Sequence, residues 1–163
     1  MVSSIRIKVS ATILSTASNV FEAMLKPNFK EGKELAVAAT VDIDLPDDPP
    51  MATEILCRVL HYQNNQLPAI DPRLALALAI QADKYDCVVA LQPSAHYWLD
   101  RDARKETIAD KRNLLTAAYL FRDTKRFSTW ASELILGTSY NIWPAGDSET
   151  AVLRKVFGKR SSI

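Results

Sequence analysis

The sequence predicts an α+β domain followed by a helical extension. Two observations carry this. Ile5, Ile7 and Val9 alternate with Arg6, Lys8 and Ser10, and Val41, Ile43 and Leu45 alternate with Asp42 and Asp44, which is the period of a half-buried strand. In several other stretches apolar residues recur at i, i+3, i+4 and i+7, the stripe of a helix lying on a core. At 163 residues the chain is long enough for one full core with a small second lobe.

The first strand covers Ile5 to Val9, and Thr12-Ile13-Leu14 reads as a turn into a helix. Ala17, Val20, Phe21, Met24 and Leu25 form that helix's stripe, Asn19 and Glu22 have capping-box spacing, and Pro27 ends it. Pro27–Lys33 is polar apart from Phe29, and Val37 to Leu45 reads mainly as strand. The run Pro46-Asp47-Asp48-Pro49-Pro50 cannot continue a sheet, because its prolines lack the amide hydrogen. It is a turn whose carboxylates suit the positive end of the following helix, residues 51–62, with Ala52, Ile55, Leu56, Val59 and Leu60 on its inner face. Gln63–Gln66 is a polar linker, and Leu67-Pro68 opens a short extended piece.

The central helix comes next. Asp71 stands at its cap and Pro72 at its first position, where a missing amide hydrogen costs nothing. Leu74, Ala77, Leu78, Gln81, Ala82 and Tyr85 make one stripe and Leu76, Ala79 and Ile80 a second, so little of this helix is left to face water. Asp83-Lys84 marks where it emerges, and Asp86 is placed to cap the next helix. That helix starts at Cys87 and carries Val88, Leu91, Ala95 and Trp98-Leu99, with a kink or break expected at Pro93. Asp100–Arg112 is a charged connector and the boundary between lobes. Leu114, Leu115, Ala118 and Phe121 form one further helix, and Phe127, Trp130, Ala131, Leu134 and Ile135 another, stopped at Gly137. Tyr140–Asp147 reads as a loop, Val152, Leu153, Val156 and Phe157 as a last short helix, and residues 158–163 as a tail.

Composition narrows the function. Nearly half the residues are apolar and the net charge is +1 with signs interspersed, which leaves no field to steer nucleic acid or an anionic membrane. The longest apolar run, Leu74–Ile80, is far short of the ~20 residues of a membrane span. Met1-Val2-Ser3-Ser4 leads into alternation instead of the apolar run of a signal peptide, so the expectation is a cytoplasmic or nuclear protein. Cys57 and Cys87 read as core residues of a reduced protein, not as a bridge or a metal pair.

No catalytic pattern is legible. His61 and His96 stand alone, without a carboxylate or cysteine at metal-ligand spacing, and Asp47-Asp48 lacks a third ligand. There is no Gly-x-Ser-x-Gly and no Gly-rich phosphate loop. The reading is a non-enzyme without cofactor or metal. Arg154, Lys155, Lys159 and Arg160 suit a solvated helix end, with a nuclear import signal as the sharper alternative. Trp98 and Trp130 fall on helix stripes and Trp143 lies apart, so they form no base-stacking platform.

The segment Ala79-Ile80-Gln81-Ala82-Asp83-Lys84-Tyr85-Asp86-Cys87 resembles the Ala-Asp-Lys-Tyr-Asp-Cys signature of BTB/POZ domains of filamentous fungi. Ser15–Leu25 with Phe29-Lys30-Glu31-Gly32, Val41–Asp48, Ile55–Tyr62 and Trp98-Leu99 resemble four further motifs in the family's order, over residues 5–99. The resemblance implies a small sheet flanked by helical hairpins over 5–99, a connector over 100–112 and a helical extension over 113–157. It moves the first helix cap to Ser18 and makes Ala82, Asp83, Lys84, Tyr85 and Cys87 structural signature residues.

It also implies a function: a protein-interaction module that forms homodimers and acts as an adaptor to a cullin-type ubiquitin ligase. The alternative is a nuclear, transcription-associated scaffold acting by dimerisation only. In the family a hydrophobic residue, any residue and a glutamate contact the cullin, and Phe29-Lys30-Glu31 matches in place and type, with Tyr62 as a second contributor. An exposed Phe fills a pocket while a carboxylate takes a donor at its rim. Two departures stand out. The family's leading Gly-Asp strand is absent, which leaves a sheet edge open and dimerisation in doubt, and its Tyr-x-Gly is replaced by Tyr62-Gln63-Asn64.

Overall fold

The computed structural model describes residues 5–137. The loop expected at Tyr140–Asp147, the helix with Val152, Leu153, Val156 and Phe157, Trp143, and the Arg154, Lys155, Lys159 and Arg160 cluster lie outside them. All the longer regular elements among the described residues are α-helices: α1 (Ala11–Ala17), α2 (Asn19–Met24), α3 (Lys30–Val37), α4 (Pro50–Leu60), α5 (Pro72–Lys84), α6 (Val88–Trp98), α7 (Ile108–Leu120) and α8 (Thr124–Gly137). Helix accounts for 66 % and strand for none, so the expected α+β fold with a small sheet is corrected to an all-α one.

Both strand readings fail in the same way. Residues 5–9 are irregular, with Ile5 and Val9 exposed and only Ile7 against the core. In the second segment Val41, Ile43 and Leu45 are half-buried and Asp42 and Asp44 exposed, so the two-residue alternation is real. Yet no backbone hydrogen bond among the described residues joins 5–9 to 38–45; a surface ion pair, Arg6–Asp42 at 3.6 Å, links them instead. Alternation reports an extended chain with one face toward a core. A strand also needs a ladder partner, and none is supplied. Val37, expected to begin the second strand, instead ends α3 at 93 % exposure.

The helices start where local chemistry dictates. Ser10 caps α1 through its hydroxyl, so Thr12-Ile13-Leu14 is helix and not a turn. Ser18, extended at φ −147°, interrupts the chain and caps α2 by accepting the Phe21 N–H. Asp71 accepts the Leu74 N–H at 2.8 Å with Pro72 at the first position of α5. Thr107 and Asp110 form a reciprocal capping box that starts α7 inside the stretch read as connector; before it lies only a 3-10 turn, Ala103–Lys105. Pro93 does not break α6, which runs unbroken from Val88 to Trp98. Pro93 sits on the exposed side, where water can satisfy the carbonyl it leaves without a partner.

Three helices end by one device. After α4, α5 and α7 the chain enters the left-handed region at Tyr62 (φ 59°), Asp86 (φ 48°) and Arg122 (φ 60°). The next amide then bonds back across the turn: Gln63 to Arg58 O, Cys87 to Ala82 O, Asp123 to Ala118 O, at 2.8–2.9 Å. Asp86 is therefore a helix stop and not the cap of α6, whose capping residue, Cys87, makes no side-chain cap bond.

α5 is the centre, packed against α4, α6 and α7, while α8 lies on α7. Leu78, Ala79 and Ala82 of α5 are fully buried, and one apolar cluster runs from Leu14 and Phe21 through α4–α6 to Leu114, Leu115, Trp130 and Leu134. Ile80, read as buried, is partly exposed. No helix among the described residues is long and apolar enough to cross a membrane.

Two substitutions separate core from backbone strain. Leu78→Asp places a carboxylate among apolar side chains without a partner and is expected to abolish the cooperative thermal transition. Tyr62→Gly removes a left-handed non-glycine residue whose side chain is 88 % exposed. It is expected to raise the urea-unfolding free energy by about 0.5–1 kcal/mol, the αL penalty outweighing glycine's extra unfolded-state entropy.

Candidate functional site

The signature segment at the end of α5 is a polar knot inside the core. Asp48, in the turn before α4, has a carboxylate only 3 % exposed. The Tyr85 hydroxyl donates to one of its oxygens and Lys84 Nζ to the other. The Tyr85 ring stacks on Phe21 with centroids 4.4 Å apart and planes 7° from parallel, and the Tyr85 carbonyl accepts the Ser18 hydroxyl. Asn19 Nδ2 donates to Asp86 at 2.6 Å. The consecutive residues Lys84, Tyr85 and Asp86 thus tie together α2, the turn at 46–49 and the α5–α6 junction. Ala82 is buried beneath them and Asp83 is exposed.

Cys57 and Cys87 are both free and buried. Burial pushes the Cys57 thiol up to about 11; burial, then the nearby Cys57 and Asp86, push Cys87 up to about 12. Burial and the Asp48 hydrogen bond likewise raise Tyr85 beyond the ordinary phenol range. All three groups are held neutral, as inert core thiols and a donor phenol. Among the described residues no three His, Cys, Asp or Glu side chains converge as metal ligands would.

The expected partner-binding residues lie elsewhere. Phe29 is the N-cap residue of α3, 52 % exposed, with no side-chain cap bond. Lys30 pairs across one turn with Glu34 at 3.8 Å. Glu31 is half-buried in the first turn, and no hydrogen bond or ion pair to it occurs among the described residues. Gly32 explains the fourth position of the motif: a Cβ there would stand 1.9 Å from the Lys26 carbonyl oxygen. Only glycine lets α3 lie against that backbone. No residue of α3 joins the apolar cluster. No hydrogen bond, ion pair or ring contact brings Tyr62 to Phe29, Lys30 or Glu31.

The two histidines are both engaged. His96 Nδ1 lies 3.2 Å from Asp123 at the surface. His61, at the end of α4, sits between the Ser10 backbone N–H, 2.8 Å from Nε2, and the Cys57 carbonyl, 2.7 Å from Nδ1.

A cleft of about 780 Å³ that the sequence did not disclose lies between residues 64–70 and the last turns of α6. Leu67, Pro68, Ile70, Pro93 and Tyr97 supply apolar lining, and the Arg101 guanidinium spans its end from the Ile70 carbonyl to Glu106. Its walls come from distant segments, so no local motif marks it; an aromatic at position 97, off the buried stripe of α6, was the one available hint.

No family model, no curated protein and no solved structure matches this chain.

The buried thiols give a pH dependence of definite sign. Unfolding returns them to an ordinary value near 9.0, so the unfolded chain releases these protons first as pH rises. Their contribution is complete below about pH 9 and is lost between pH 9 and 11–12, each tenfold difference in proton affinity being worth about 1.4 kcal/mol. The urea midpoint is expected to fall between pH 8 and 10.5, and to fall less steeply in Cys87→Ala.

Proposed function

We propose that this chain is a non-catalytic protein-interaction module whose contact is built on Phe29, Lys30 and Glu31 at the start of α3. One observation carries the reading: α3 gives no side chain to the apolar core, yet it presents a half-exposed aromatic beside a carboxylate with no partner among the described residues. Exposed aromatics flanked by a polar group that can find a donor are the usual anchors of protein interfaces. The close approach of Gly32 to the Lys26 backbone fixes the helix that carries them, so the anchor is pre-ordered.

The resemblance of Phe29-Lys30-Glu31 and the Tyr85 segment to BTB/POZ motifs makes the N-terminal region of a cullin the first partner to test. It now rests on the helices and the polar knot, because the sheet it implied is absent among the described residues. A homodimer belongs to the same proposal, and Tyr62, exposed on a different turn, is a second contributor to the cullin contact.

Native mass spectrometry of the chain, alone and mixed with a cullin N-terminal region, tests this. A mixed complex is expected, weakened about thirtyfold by Phe29→Ala and at least as much by Glu31→Lys, with unchanged circular dichroism. Glu31→Gln, which keeps the shape, separates charge from contact. Binding that ignores both substitutions removes the α3 assignment, and a folded monomer that never associates overturns the adaptor reading.

A further inference from the structure

We infer that His61 is a pH-sensitive latch for the N-terminal block of residues 5–17, which it holds through the Ser10 amide only while its ring is neutral. The geometry fixes the tautomer. The Cys57 carbonyl can only accept, so the proton must sit on Nδ1; the Ser10 N–H can only donate, so Nε2 must be bare. A second proton on the imidazole would set N–H against N–H at 2.8 Å and abolish the Ser10 bond. Histidine is the side chain suited to such a switch, since its ring is the one that exchanges a proton under physiological conditions.

The block is poised to respond because little else holds it. Leu14 is the one buried residue of α1. Ile7, Ile13 and Ala17 are only partly covered, and the Arg6–Asp42 pair lies open to solvent. At its other end the extended Ser18 is clamped: its hydroxyl donates to the Tyr85 carbonyl and accepts the Phe21 amide, so α2 stays seated when α1 leaves. Ser18 is the hinge and His61 the catch.

Charges around the catch do not oppose release. On α4, Glu54 and Arg58 pair with each other at 2.8 Å and the Cys57 thiol is neutral. α1 carries no ionisable side chain, and the segment before it contributes only Arg6 and Lys8, cations that an imidazolium repels. On α5, Asp71 is engaged by the Leu74 amide and Lys84 by Asp48; on α6, His96 faces Asp123. Tyr62, adjacent in sequence, points to solvent. Release would uncover Leu14 and the parts of α2 and α4 against which α1 packs, an apolar surface presented only in acid.

Amide-exchange protection factors of the full chain at pH 7.5 and 5.5, with the ring nitrogens of His61 followed by NMR, test the latch. Protection of Ser10 to Ala17 is expected to fall about tenfold on acidification, in step with the ring's titration, while Phe21 and Leu114–Ala118 hold. His61→Gln, which presents an acceptor oxygen near the position of Nε2 and cannot titrate, is expected to keep protection at both values. Unchanged protection across the ring's titration overturns the proposal. So does a ring that stays neutral at pH 5.5, or an acid loss that persists in His61→Gln or spreads over the whole chain.

Discussion

The fold depends on the burial of one carboxylate. Asp48 is almost out of reach of water, and an unpaired carboxylate there would cost several kcal/mol. It is tolerable because the Tyr85 hydroxyl and Lys84 ammonium meet its two oxygens, and neither can do so unless α5 ends where it does. The left-handed turn at Asp86 sets that end. With Tyr85 so placed, its ring covers Phe21 and its carbonyl receives Ser18. Placing Asp48 therefore positions the turn before α4, the last turn of α5 and the start of α2 together. Apolar packing of α5 supplies most of the driving force, being non-directional; the knot chooses the register in which it acts.

Sequence and structure agree where the signal is local. The Asp71-Pro72 start of α5, the 3.6-residue stripes of α4 and α7, that of α8 apart from the exposed Ile135, and the burial of Cys57 and Cys87 follow from residues within a turn or two of one another. The cap of α2 is Ser18, as the resemblance implied, and not Asn19 with Glu22. The strands failed because a ladder is not local: Val41, Ile43 and Leu45 alternate as a strand would, but alternation cannot say whether a second edge arrives. The helix stops were illegible for another reason. Tyr62, Asp86 and Arg122 occupy positions where glycine is the readable marker, and the whole chain contains four glycines. Of the candidate site, the residues of the Phe29 motif were legible and their setting on a helix was not. The cleft beside Tyr97 was not legible at all, since Leu67 and Tyr97 meet only through the tertiary fold.

The N-terminal third and the helices from α4 onward are held differently. The helices from α4 onward supply most of the apolar cluster, whereas the N-terminal third gives it two buried apolar residues, Leu14 and Phe21, and is joined to the rest by specific interactions: Ser10 to His61, Ser18 and Phe21 to Tyr85, Asn19 to Asp86. A region with so few buried apolar side chains opens at lower free energy than the core. The α3 helix belongs to that third. It follows Phe21 and Met24 on the same stretch of chain, and its seat is a backbone approach at Gly32 instead of a buried side chain.

This placement bears on how an interaction through Phe29 and Glu31 would be set. A rigid anchor loses little conformational entropy on binding, while a mobile one gives back part of its interaction energy as ordering. Phe29 is held by its backbone, whose amide donates to the Lys26 carbonyl at 3.1 Å, and by the Gly32 approach to that same oxygen. Both restraints converge on the chain just after α2, and α2 is fixed in turn by the Phe21–Tyr85 stack and the Ser18 clamp. A chain of contacts therefore runs from the buried carboxylate of Asp48 to the exposed aromatic. Asp48 holds Tyr85, Tyr85 holds α2, and the chain just after α2 seats α3, the helix that among the described residues gives no side chain to the apolar cluster.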